Sequence, residues 1–235
     1  MLLFLVVYTL KLHIFVHRKG HSMKYNTIQT LRSALLSGVA VGIAGWGYLA
    51  TMNIIGAILF SFGLLTVVNY KLLLYTGTAG FIDIRNYHGN IVLHTSIKGL
   101  LEILAGNILG CLLVALLTRI SPMDLSTSAQ QILQSRLDIG PIRGGLLAIG
   151  CGFIMTTVVT FARQGKMLPM LFGVPLFITC GFPHCVADAF YYLATPLEFW
   201  AENWGDILIF YCSIVAGNFV GCNFYRLVMV HMQED

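Results

Sequence analysis

Long apolar runs separated by short polar segments dominate this chain of 235 residues. Each run approaches or exceeds the about 20 residues that an α-helix needs to cross a bilayer. The pattern therefore predicts an all-α integral membrane protein with six transmembrane helices. Their expected bounds are 28–50, 53–80, 97–118, 143–162, 168–194 and 206–230.

Composition supports the same class of protein, because 57% of the residues are hydrophobic and 10% are charged. A soluble domain has about 25% charged residues. No linker or low-complexity tract divides residues 23–235, which we interpret as a single six-helix domain. Residues 1–22 form an N-terminal extension that is a mis-assigned start, an interfacial anchor or an uncleaved signal-like segment. The basic residues form no patch typical of a nucleic-acid partner.

Two of the expected helices are interrupted, the second at residues 74–80 and the fifth at Gly181-Phe182-Pro183. Glycine and proline break a helix, because one loosens the backbone and the other removes a hydrogen-bond donor. In hydrocarbon, the freed backbone groups must be buried in protein or line a wet cavity. His184 is an ionisable residue at such a break and therefore indicates a pathway for a small polar solute.

A short motif, Gly-Asn-x-x-Gly, occurs in the third and sixth expected helices, at 106–110 and 217–221. The interval between its two copies is close to the interval from Thr76 to His184, so the two halves of the chain form a repeat. Each half has an odd number of helices, so the halves must cross the membrane in opposite directions. Inverted repeats with paired broken helices are typical of transporters.

Lysine and arginine are concentrated in alternate polar segments, and few lie in the others, at Arg119, Arg136 and Arg143. The positive-inside rule therefore predicts a multi-pass protein of the cell membrane with both termini in the cytoplasm. The six cysteines lie in apolar segments and are expected to be free thiols. We expect no metal and no cofactor, because Cys180, His184 and Cys185 lack a fourth ligand.

The sequence Gly181-Phe182-Pro183-His184 resembles the Gly-Phe-Glu-His motif of the formate/nitrite transporter family. Residues 74–76, Leu-Tyr-Thr, are similar to the family's Leu-Phe-Thr loop, and both Gly-Asn-x-x-Gly motifs fit its third and sixth helices. The resemblance extends over residues 25–230. It implies an aquaporin-like fold with six helices around a pore in each protomer of a homopentamer.

The resemblance also implies which residues line the pore. They are two apolar constrictions with a polar pair between them: Phe60 and Phe177 outside, Leu64 and Leu74 inside, Thr76 facing His184, and Tyr75 in the same loop. Arg136 lies near the family's basic residue in the outer vestibule.

Several positions depart from the family's pattern. Pro183 replaces a glutamate, Gly152 an asparagine of the fourth helix, and Asp188 the asparagine that follows the histidine. Asp188 lies one helical turn after His184 and either orients the imidazole or satisfies another neighbour. Lys71 near the first break either pairs with Glu102 or extends its charge to the membrane surface.

The residue types of this expected pore are compatible with the passage of a weak acid. A small carboxylate titrates at about pH 4. Moving a bare ion into a medium of low dielectric has an idealised cost on the order of 20 kcal/mol. Apolar constrictions would therefore block the anion and pass its neutral acid, while an imidazole, which titrates at about pH 6.5, supplies the proton.

We therefore expect a channel or transporter, not an enzyme, for a small monovalent anion that crosses with a proton. Formate is the first choice, and nitrite and hydrosulfide are the alternatives. A neutral-solute pore would carry Asn-Pro-Ala boxes, which are absent. An intramembrane enzyme would need a second catalytic group beside His184 and Asp188. The expected partners are the anion, a proton, membrane lipid and further copies of the chain.

Overall fold

The computed structural model describes residues 27–81 and 97–229, which form ten α-helices and no strand. The bounds of the helices are α1 Thr27–Thr51, α2 Ile54–Asn69, α3 Tyr75–Ala79, α4 Ile97–Thr118, α5 Leu125–Ile139, α6 Pro141–Arg163, α7 Leu168–Thr179, α8 Cys185–Ala194, α9 Leu197–Cys222 and α10 Phe224–Met229. The predicted boundary between residues 22 and 23 lies outside the described residues.

Four of these helices, α1, α4, α6 and α9, are long and apolar enough to cross a membrane. The pairs α2/α3 and α7/α8 are the second and fifth expected helices, each interrupted where the sequence predicted a break. The expected start of the sixth helix at residue 206 was wrong, since α9 begins at Leu197. Its first turns expose Glu198 and Glu202 while Phe199 is buried, so hydropathy alone placed the start too late.

Helix α5 was not predicted, because its composition is mostly polar. Its buried side chains Leu125, Ala129 and Leu133 recur every four residues and form one apolar stripe. The stripe packs against α8, with further contacts to α1, α6 and α9. At the start of the helix, Asp124 accepts a hydrogen bond from the backbone N–H of Thr127. This helix places Arg136 beside the second break.

The two breaks have the same backbone geometry. After α2, Lys71 has a φ of 53° and the N–H of Leu72 donates to the carbonyl of Val67 at 2.8 Å. After α7, Gly181 has a φ of 69° and the N–H of Phe182 donates to the carbonyl of Phe177 at 2.9 Å. Each helix therefore ends in a left-handed residue with the carbonyls of its last turn satisfied.

This equivalence aligns the two halves slightly differently from the sequence spacing. Leu74 is the N-cap of α3 and His184 is the N-cap of α8, both with extended backbone. The repeat therefore matches His184 to Leu74 rather than to Thr76. The same scaffold position carries an apolar side chain in one half and an imidazole in the other.

Small residues allow α4 to approach α1 and α9 to approach α6. A methyl group on Gly110 would overlap the carbonyl oxygen of Leu35, and one on Gly221 would overlap that of Ile149. The two Gly-Asn-x-x-Gly motifs thus form equivalent backbone contacts, as expected for such motifs in membranes.

The glycine contact can be tested within α9. We expect Gly221→Ala to lower the thermal midpoint in detergent, because the new methyl group must displace the backbone of α6. Gly205→Ala in the same helix is the control, because no atom lies within 4 Å of the position that its methyl group would take. It should keep or raise the midpoint, since alanine favours a helix by about 1 kcal/mol over glycine. Equal midpoints for the two variants would contradict the assigned contact.

Candidate functional site

His184 and Thr76 form a buried polar pair that joins the two breaks. The imidazole Nδ1 caps α8 by accepting a hydrogen bond from the backbone N–H of Ala187 at 3.1 Å. An accepting Nδ1 carries no hydrogen, so the ring hydrogen is on Nε2. Nε2 lies 2.8 Å from Oγ1 of Thr76 and therefore donates to that hydroxyl. His184 is 2% exposed and Thr76 is fully buried.

An aromatic layer covers the pair on one side. The ring of Phe177 stacks on the imidazole of His184, with centroids 5.5 Å apart and an interplanar angle of 25°. Phe60 meets Phe177 edge to face at 6.3 Å. Both phenylalanine side chains are buried, so this layer presents an apolar barrier next to the imidazole.

Cavities approach the pair from opposite sides. The Arg136 cavity, of about 230 Å³, is lined by residues that include Arg136, Asp188 and Phe177. The Lys71 cavity, of about 580 Å³, is lined by residues that include Lys71, Leu64 and Leu74. Phe177 lies in the wall of the first cavity, and Leu64 and Leu74 lie in the wall of the second, with the polar pair between them.

Asparagine side chains hold both breaks. Nδ2 of Asn218 donates to the carbonyls of Ala148 at 2.9 Å and Pro183 at 3.0 Å, while its Oδ1 accepts from the N–H of Cys185 at 2.8 Å. Asn218 thus bonds the backbone on either side of His184. The Gly-Asn-x-x-Gly motif identified this residue only as part of a helix contact.

Asn107 does the same in the first half. Its Nδ2 donates to the carbonyls of Ala34 at 2.8 Å and Leu73 at 3.0 Å, and its Oδ1 accepts from the N–H of Tyr75 at 2.9 Å. At each break, one asparagine of the same repeat therefore bonds a backbone carbonyl and a backbone N–H on either side of the N-cap residue of the short helix.

Asp188 accepts a hydrogen bond from the backbone of His184 and forms none with its imidazole. Its Oδ2 accepts from the N–H of His184 at 2.8 Å, and its Oδ1 accepts from Nε of Arg136 at 2.9 Å. Arg136 also donates from Nη1 to the carbonyl of Gly181 at 2.6 Å. Two roles were predicted for Asp188, to orient the imidazole or to satisfy another neighbour. Its contacts in the structure correspond to the second role. Arg136 in turn ties α5 to the second break.

Three further candidate residues from the sequence are Lys71, Tyr75 and Gly152. Lys71 is exposed at the Lys71 cavity and forms no ion pair with Glu102, so that predicted alternative was wrong. The hydroxyl of Tyr75 donates to the carbonyl of Val215 in α9 at 3.3 Å, which fixes the ring against that helix. Gly152 lies in the contact between α6 and α9, where a methyl group would overlap the carbonyl oxygen of Asn218.

Two broken helices that meet at a buried histidine between two cavities define a membrane channel or transporter. A family model described as formate/nitrite transporter matches residues 12–232. The chain therefore belongs to the formate/nitrite transporter family, and it is a transport protein, not an enzyme.

Similar proteins agree with this assignment. The chain is 30% identical over 192 residues to the uncharacterized transporter YrhG of Bacillus subtilis, with 75% of this chain and 69% of the relative covered. It is 25% identical over 178 residues to the formate channel FocA of Haemophilus influenzae, with 68% and 61% covered.

Solved structures share the fold. A pentameric formate channel with formate bound gives a TM-score of 0.70 at 21% identity, with 88% of this chain and 96% of that chain covered. An ion channel of the same family gives a TM-score of 0.65 at 18% identity, with 88% and 91% covered. The predicted all-α, aquaporin-like fold of two inverted three-helix repeats is thereby confirmed.

The bonds of Asn218 can be tested by truncation. We expect Asn218→Ala to reduce the free energy of unfolding by at least about 2 kcal/mol, since buried groups of Pro183 and Cys185 lose their partner. Denaturant or thermal unfolding in detergent measures this change. Asn203→Ala is the control, because among the described residues the Asn203 side chain bonds only within its own helix, to Phe199. Similar losses for both variants would contradict the role of Asn218.

Proposed function

We propose that the protein carries a small monovalent weak-acid anion, first of all formate, across the membrane together with a proton. The observation that carries this proposal is the His184–Thr76 pair between two apolar layers and two cavities. The names of FocA and of the pentameric formate channel support formate as the first substrate to test.

The apolar layers give the physical reason for proton coupling. Phe60 and Phe177 on one side and Leu64 and Leu74 on the other are buried apolar side chains, which offer an ion no charged partner of their own. An anion stripped of water there faces an idealised cost on the order of 20 kcal/mol. Its neutral acid avoids most of that penalty, so protonation beside His184 permits passage.

The polar pair can deliver the proton. Because Nε2 of His184 donates to Thr76, the hydroxyl hydrogen of Thr76 is directed elsewhere and can bond the anion. A proton first binds Nδ1, which releases the cap on Ala187. The Nε2 proton then moves to the Thr76 oxygen while the Thr76 hydroxyl proton moves to the anion. The products are the neutral acid and a neutral imidazole with its hydrogen on Nδ1.

Assembly and orientation extend the same proposal. The name of the pentameric neighbour supports a homopentamer. Apolar side chains exposed on the described helices, such as Ile58, Phe62 and Leu116, would then face lipid or neighbouring protomers. The distribution of lysine and arginine supports cytoplasmic termini, with the Arg136 cavity outside and the Lys71 cavity inside.

The role of His184 can be separated from its capping role. We expect His184→Asn to abolish formate uptake driven by a pH gradient, because asparagine caps a helix but does not titrate. His184→Ala should also abolish uptake, and in addition it should lower the thermal midpoint, because the cap on Ala187 is lost. Uptake of radiolabelled formate into proteoliposomes measures transport.

Unchanged proton-coupled uptake in His184→Asn would remove the imidazole from the mechanism. The same vesicles compare formate with nitrite and sulfide at several pH values. Faster uptake of either competitor would overturn formate as the substrate and keep the class of transported anion.

The aromatic layer makes a separate prediction. We expect Phe177→Ala to raise formate flux at neutral pH and to weaken its dependence on pH, because water can then accompany the anion past the imidazole. Phe172→Ala in the same helix is the control, since that ring is 68% exposed. A pH profile identical in Phe177→Ala and wild type would exclude Phe177 as the barrier.

A further inference from the structure

We propose that Asp188 is a built-in competitor that keeps the affinity of Arg136 for the transported anion low. This inference rests on the proposed function, since it concerns the anion's first cationic contact. The carboxylate of Asp188 has the same chemistry as a small carboxylate substrate, and it already occupies the guanidinium.

Two of the five N–H groups of Arg136 have hydrogen-bond partners among the described residues. Nε donates to Oδ1 of Asp188 at 2.9 Å, and Nη1 donates to the carbonyl of Gly181 at 2.6 Å. Nη2 has no hydrogen-bond partner among residues 27–81 and 97–229. Arginine binds carboxylates most strongly through two parallel N–H groups. An entering anion can therefore reach only the remaining N–H groups of Nη1 and Nη2, and it must displace Asp188 to use the side-on pair formed by Nε and Nη2.

The position of the pair makes this competition relevant to transport. Arg136 and Asp188 both line the Arg136 cavity, whose wall also includes Phe177, the ring that stacks on His184. An anion that reaches the aromatic layer from this side must therefore pass the ion pair. At that point the two charges cancel, so the cavity offers a neutral pair rather than a free cation.

The Asp188 side chain stays near Arg136 even when an anion displaces its carboxylate from the guanidinium. Its second oxygen accepts from the backbone N–H of His184 at 2.8 Å, and the side chain is 1% exposed. The carboxylate therefore remains beside the anion site and returns to Arg136 when the anion leaves. Conduction requires binding strong enough for entry and weak enough for exit. A tethered competitor meets this requirement by limiting how long the anion is held.

The opposite cavity has no such competitor. Its lining includes Lys71 and Arg163 but no aspartate or glutamate among the described residues. The two ends of the pathway thus differ in charge although the backbone of the two breaks is equivalent. The anion contact on the Arg136 side is accordingly the weaker of the two.

The test uses Asp188→Asn, which removes the charge and keeps the shape. If Asp188 competes, the half-saturating formate concentration falls by at least about fivefold, because Arg136 becomes free to bind the anion. The maximal uptake rate falls as well, because release slows. A role limited to holding α5 would lower stability or rate without lowering the half-saturating concentration.

Two measurements read out this test, and the first does not depend on transport. The first is the thermal midpoint of purified protein in detergent against sodium formate at constant ionic strength, since a bound ligand stabilises the folded state. The second is the concentration dependence of uptake into proteoliposomes. Asp138→Asn is the matched control, because it makes the same change at an exposed residue of α5 and should leave both curves unchanged.

A double-mutant cycle tests the pairing itself. Arg136→Gln leaves the Asp188 carboxylate unpaired and should raise the half-saturating formate concentration above that of wild type. Adding Asp188→Asn to Arg136→Gln should restore part of this loss. Equal effects of Asp188→Asn in the presence and absence of Arg136 would overturn the proposal, as would a folded Asp188→Asn protein with wild-type half-saturation.

The outcomes separate this inference from the proposed function. In one outcome, the formate dependence of the thermal midpoint shifts in Asp188→Asn, but the protein takes up no formate. This outcome would support the competitor role of Asp188 and refute formate transport. Formate uptake with an unshifted titration would refute the competitor alone. Should Asp188→Asn fail to fold, Asp188→Ser is the second neutral variant, and the same two curves decide.

Discussion

Backbone hydrogen bonding in a medium without water is the constraint on which the rest of this structure depends. Interrupting a helix frees carbonyl and N–H groups, and hydrocarbon offers them no partner. Asn107 and Asn218 supply that partner, each with two donated bonds and one accepted bond. Because each amide reaches both sides of its break, it fixes the ends of the two short helices. The candidate site can therefore be polar at its centre without loss of a defined backbone.

The two breaks then divide the chemistry between them. Thr76 comes from the first break and His184 from the second, so neither half of the repeat contains the polar pair alone. The cap on Ala187 fixes the imidazole by its Nδ1, and the same bond assigns the hydrogen to Nε2. Helix capping and the proposed solute chemistry therefore use the same side chain. A proton that binds Nδ1 necessarily disturbs the start of α8.

Much of this architecture follows from the sequence, because long apolar runs and helix-breaking residues are local signals. The spans, both breaks and the special position of His184 could be predicted in that way. Helix α5 could not, since its stripe of buried residues is short and lies in a polar segment. The contact between Arg136 and Asp188 joins residues 52 positions apart, and no local pattern reports such a pair. The hydrogen bonds of Asn218 could not be predicted for the same reason, although the Gly-Asn-x-x-Gly motif that contains it was recognised.

A repeated scaffold with unlike side chains explains why the two ends of the proposed pathway differ. Lys71 and Gly181 adopt the same left-handed backbone, yet only Gly181 offers its carbonyl to an arginine. Leu74 and His184 cap equivalent helices, yet only the histidine closes its cap with a side chain. The repeat thus supplies matched backbone positions, and different side chains at a few of them make the two sides chemically unlike. Helix α5, which carries Arg136 to the second break, adds a charge pair to that side.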